Sequence, residues 1–93
     1  MKIEALIMSK TEVKPISIQV VDLLSTETVT AATVTHVPPS GTAATITPSV
    51  SSPYVTLLLG PLTVAGKHTV KVQATGSLGS KPEVLYKIDV LDV

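Results

Sequence analysis

Cysteine, tryptophan, phenylalanine, asparagine and arginine are all missing from the 93 residues. Without cysteine there is no disulfide framework and no thiolate metal site, and without asparagine there is no N-glycosylation acceptor. Seven lysines are balanced by seven acids, so the formal charge is zero. No basic field then exists to condense on a phosphate backbone or an anionic membrane, which argues against nucleic acid and membrane as partners. Tyr54 and Tyr86 are the whole aromatic inventory, thin material for stacking sugars or bases. Long apolar runs are lacking too. The run 55–59 is closed by Gly60 and Pro61, far short of the roughly 20 residues that span a bilayer. The opening 1–8 has Glu4 inside its apolar stretch and is too short for a signal core. A soluble protein made in the cytoplasm is expected, with room for one domain of ordinary size.

What is present is valine and threonine, fourteen and thirteen residues respectively. Their β-branched side chains fit a pleated surface better than the flank of a helix. Alternation with period two recurs along the chain. Ile3, Ala5 and Ile7 alternate with Lys2, Glu4 and Leu6. Ile16, Ile18 and Val20 share one face of a second strand. In 28–37 Val29 and Ala31 share one parity and Ala32, Val34 and His36 the other, as a bulge near Ala31-Ala32 would make them do. Pro38-Pro39-Ser40-Gly41 is a stop. Strands are then expected at 42–47 and 54–59, divided by the proline- and serine-rich 48–53. In the sixth, His68, Val70, Val72 and Ala74 face one way and Lys67, Thr69, Lys71 and Gln73 the other. A Gly/Ser hairpin at 76–81 leads into Val84, Tyr86, Ile88 and Val90, predicting an antiparallel last pair. About seven strands at roughly 8 to 12 residue spacing is the pattern of an all-β sandwich, with a small closed barrel as the competing answer.

The order Asp22-Leu23-Leu24, Glu27-Thr28-Val29, Ala32-Thr33-Val34-Thr35 and Pro39-Ser40-Gly41, followed by 62–75 from Leu62-Thr63-Val64-Ala65-Gly66 to Ala74-Thr75, resembles the small immunoglobulin-like virion proteins of tailed phages. These include head decorations and fiber-tail adaptors. The resemblance covers about residues 16–90. Val34 and His68 stand near positions where that group usually carries a tryptophan and another aromatic. The resemblance implies an immunoglobulin-like antiparallel β-sandwich over 15–93, preceded by an N-terminal strand and attachment segment over 1–14. It also implies a non-enzymatic structural protein, located in the virion, that decorates or stabilises the capsid or attaches to another virion structural protein. The alternative is an adhesive or spacer immunoglobulin-like module of a bacterial surface protein, because one fold serves both roles.

Reactive groups are scarce. His36 and His68 are the only imidazoles, and a zinc site of about three or four ligands would need carboxylates at spacings that are not there. His68 reads as a partly buried histidine in place of a core aromatic, and its charging in acid would weaken folding. His36, beside Pro38, reads as a strand-end or loop residue. The acid pairs Asp22 with Glu27 and Asp89 with Asp92 lack the ligand spacing of a calcium loop. No Gly-x-Ser-x-Gly elbow occurs. No catalytic residue, cofactor or metal is therefore expected. The partner-binding candidates are instead apolar: Ile3, Ala5 and Ile7 in the first strand, Tyr54 between Pro53 and Val55, and Leu85 and Leu91 opposite the core parity of the last strand, as is Leu58 in its own. They point to a protein contact, for which the resemblance implies the phage capsid or another virion protein as partner, with self-association as a further option.

Overall fold

A computed structural model describes residues 2–20 and 26–92. It is all-β, with seven strands in two sheets. They are β1 (Lys2–Ser9), β2 (Lys14–Gln19), β3 (Val29–Val37), β4 (Ser49–Ser51), β5 (Tyr54–Leu59), β6 (Gly66–Gly76) and β7 (Glu83–Leu91). The four-stranded sheet has the order β1-β7-β6-β3 and the three-stranded sheet the order β2-β5-β4. With β1, β7, β6 and β3 in one layer and β2, β5 and β4 in the other, the architecture is a β-sandwich. The first strand lies beside the last.

The alternation seen in the sequence is the alternation of burial. Val55, Leu57 and Leu59 of β5 face His68, Val70, Val72 and Ala74 of β6 and Tyr86, Ile88 and Val90 of β7 across the layer interface, and all are buried. Leu62, from the connection after β5, fills the same core. At about 25 cal/mol per Å² of apolar surface removed from water, these side chains supply the main favourable term for folding. β6 and β7 form the expected antiparallel hairpin, in register from Gly66 opposite Val90 to Gln73 opposite Glu83. The bulge in β3 is there as well. Val29 lies opposite Gly76 and Ala31 opposite Thr75, which leaves Thr30 as the extra residue. Its hydroxyl donates to the Thr75 carbonyl at 3.1 Å.

Two features differ from the expected arrangement. The segment 42–47, read as a strand for its Thr and Ala, forms none; the edge strand is the shorter β4, inside the stretch taken for a loop. Cross-strand pairing decides this, because Val50 and its neighbours meet β5 in antiparallel register while 42–47 meets no strand. Secondly, the pairing of β1 with β7 is parallel, running from Lys2 opposite Val84 to Ser9 opposite Leu91, whereas the other four pairings are antiparallel. β1 thus forms the edge of the sandwich's own sheet. It sends Leu6 and Met8 inward, and Met8 is only 1% exposed.

Candidate interaction surface

Parallel pairing fixes which side of β1 faces outward. With Leu6 and Met8 directed to the core, Ile3, Ala5 and Ile7 lie on the outer face and are exposed, Ile3 by 58% and Ile7 by 68%. The register places Ile3 beside Leu85 and Ser9 beside Leu91 on that face. Leu85 is half-buried and Leu91 is 45% exposed. Five of the six apolar candidates therefore share the outer face of β1 and β7, with Lys87 and Asp89 standing between Leu85 and Leu91 on β7. Lys87 lies beside Ala5, Asp89 beside Ile7, and Lys67 and Lys71 follow on β6 opposite Asp89 and Leu85. Lys71 pairs with Glu83 at 3.0 Å, and Gln73 Nε2 donates to the same carboxylate at 3.2 Å. The hydrogen bond from Lys71 holds the Glu83 carboxyl below its ordinary pKa. Apolar side chains beside charged ones are a make-up found in protein contacts.

Tyr54 does not share this face. It lies on the three-stranded sheet, opposite Gln19 and Ser51, and is exposed together with Leu58, which faces outward opposite Pro15. Tyr86 is buried, as its shared parity with Ile88 predicts, and burial first and then the Glu4 charge raise the pKa of its phenol. Beside it a cleft of about 380 Å³ opens between β1 and β2, walled by Ile18, Val20, Val55, Val72 and Val84. Lys2 and Glu4, themselves paired at 3.2 Å, also line it.

The histidines are arranged in a way the sequence reading missed. His36 is buried as well as His68, and His36 Nε2 lies 2.8 Å from His68 Nδ1. Their ring planes differ by 5° with centroids 5.1 Å apart. That separation suits two rings meeting edge to edge along the N···N bond, nearly coplanar, rather than stacked face to face. The Ala44 amide donates to His36 Nδ1 at 2.8 Å, so this nitrogen carries no proton. Neutral His36 is then protonated on Nε2 and donates to His68 Nδ1; His68 in turn is protonated on Nε2 and donates to the Val64 carbonyl at 2.6 Å. One chain of bonds thus ties 42–47 and the connection before β6 to the core. The missed signal was diagonal: His36 lies opposite Val70, two residues from His68 on the same face. The relay engages all four imidazole nitrogens. Among the described residues no three His, Asp or Glu side chains gather as metal ligands would.

Of the acids in the two pairs, Glu27 and Asp92 are engaged in bonds within the fold. Glu27 is buried and accepts hydrogen bonds from the amides of Leu78 at 2.8 Å and Ser80 at 3.0 Å, holding the β6–β7 hairpin. Asp22 lies outside the described residues. Asp92 pairs with Lys10, whose hydrogen bond and charge lower the pKa of its carboxyl, and Asp89 faces outward beside Ile7 and Lys67.

These features define a β-sandwich whose distinguishing surface is an apolar stripe on one edge. No family model and no curated protein matches the chain.

Proposed function

We propose that this chain is a non-enzymatic structural protein of a tailed-phage virion, an immunoglobulin-like module that attaches to the capsid, as decoration or stabiliser, or to another virion protein. The observation that carries the reading is the outer stripe of Ile3, Ala5, Ile7 and Leu91, exposed on regular strands and bordered by Lys87, Asp89 and Lys67. Rigid strands present such side chains with little loss of backbone entropy on binding. The resemblance of 16–90 to immunoglobulin-like virion proteins supplies the class of partner. Attachment through this face involves no cofactor and no chemistry, in keeping with two imidazoles and a Glu27 carboxylate that are engaged in hydrogen bonds within the fold.

One observation favours the second reading, an adhesive or spacer module of a bacterial surface protein. Because β1 and β7 run parallel, Lys2 and Leu91 lie at opposite ends of a body 45 × 20 × 19 Å in extent, as suits modules strung in series. The test is cosedimentation of the purified protein with tailed-phage capsids and tails that lack it, followed by electron microscopy of the pellet. Regular extra density at fixed symmetry positions is the expected result. Absence of binding to both would transfer the argument to the adhesive reading.

A further inference from the structure

The four edges of the two sheets are not alike. β2 contains Pro15, β3 is distorted at Thr30, and β4 is three residues long between Pro48 and Pro53. Proline, bulges and brevity are the devices that keep a sheet edge from pairing with other chains. β1 has none of them. It is eight residues long, without proline or glycine, in unbroken register with β7 on one side. On its other side no strand pairs with it among the described residues. Its unpaired amides and carbonyls are a template for one more strand.

We propose that β1 pairs antiparallel, about a two-fold axis, with β1 of a second copy of this chain, joining two four-stranded sheets into one continuous sheet. Symmetry and charge select both occupant and register. A two-fold axis normal to the sheet keeps outward side chains outward and places one residue opposite its own copy. Centred on Glu4, the pairing would oppose two carboxylates. Centred on Leu6, it would bring Lys2 against Lys10 at the strand's end. Centred on Ala5, no like charges meet: Ile3 lies opposite Ile7 of the second copy, Ala5 opposite Ala5, and residues 2–8 are all paired. The order Ile3-x-Ala5-x-Ile7 reads the same in both directions, which is the self-complementarity an isologous contact requires and which an unrelated strand would not need. Apolar pairs directly opposite one another are the stabilising unit of such a ladder. The contact goes beyond the attachment reading, since it is made through the free backbone edge and doubles the outer stripe instead of covering it.

The test is sedimentation equilibrium of the purified protein with no virion component present, so that failure of capsid attachment cannot be mistaken for failure of pairing. Ala5 is exposed, so Ala5→Lys and Ala5→Glu should fold as the parent does, which circular dichroism and thermal unfolding check. A wild-type dimer is expected. Each variant alone should raise the dimer dissociation constant by about fivefold, because like charges meet at the axis. An equimolar mixture of the two should recover dimer through an opposite-charge pair. Thr33→Lys, outward on β3, should leave the dimer intact. A wild type that stays monomeric at about 1 mM, a dimer indifferent to both Ala5 variants, or a mixture no more dimeric than its components would each overturn the proposal.

Discussion

Two buried polar contacts hold the loops of this sandwich, and each makes a prediction about single residues. Glu27 fills the space where a Cβ at position 76 would stand, and its carboxylate bonds the hairpin amides of Leu78 and Ser80. Gly76→Ala should therefore dislodge Glu27 and cost about 2 kcal/mol in urea unfolding, the scale of hydrogen bonds to a charged group. In a Glu27→Ala background the same change should cost little; additive losses would contradict the coupling. The histidine relay makes a prediction about pH. Burial first, and the neighbouring His68 second, lower the pKa of His36 below its ordinary 6.5. The unfolded chain then binds a proton at a pH where the folded chain does not. Stability is full above about pH 6.5 and falls progressively as the pH drops from there towards the lower folded value. Unfolding midpoints at pH 7.5 and pH 5 (~) should differ for the wild type and differ less for His36→Gln; equal differences would exclude the relay as the source. Neither contact could be seen in the sequence. Glu27 and Leu78 are 51 residues apart, and the two histidines meet only once the β3–β6 register is known.

At the scale of elements, the sequence showed the strands wherever one parity was apolar and the other polar. β2 and β6 are such cases, while β5 and β7 add outward Leu58, Leu85 and Leu91 to an otherwise clear alternation. In β1 both parities are apolar, Ile3, Ala5 and Ile7 against Leu6 and Met8, so the alternation marks a strand without saying which face is inward. Parallel pairing with β7, from the far end of the chain, settles it. Met8→Ala, emptying a core position, should cost about 2–4 kcal/mol, whereas Ile7→Ala on the outer face should change stability by less than about 0.5 kcal/mol. Denaturant unfolding of the two variants checks this, and a reversed order would mean that β1 faces the other way. β4 was missed for a different reason. Its serines carry no strand preference, and it is ordered by pairing with β5, while 42–47 has strand-favouring residues but is held by the Ala44–His36 bond outside either sheet.

For the whole molecule, the two sheets present two different outer surfaces. One carries Ile3, Ala5, Ile7, Leu85 and Leu91 in register along β1 and β7; the other carries Tyr54 and Leu58 on β5. The sequence named Leu58, Leu85 and Leu91 from their parity, Ile3, Ala5 and Ile7 from their place in the N-terminal strand, and Tyr54 from its place between Pro53 and Val55. It could not divide them between faces, since that division follows from strand order. Attachment through the first surface distinguishes the proposed virion role from contact through the opposite sheet, and charge placed on each surface in turn separates the two. Ile7 and Leu58 suit this because both are exposed, Leu58 by 63%, and a lysine at either keeps its side chain in water. The decisive measurement is the capsid- or tail-bound fraction of Ile7→Lys and of Leu58→Lys in cosedimentation, each compared with wild type. Loss of binding by Ile7→Lys with retention by Leu58→Lys is the expected result; retention by Ile7→Lys with loss by Leu58→Lys would show that the β1–β7 surface is not where this protein attaches.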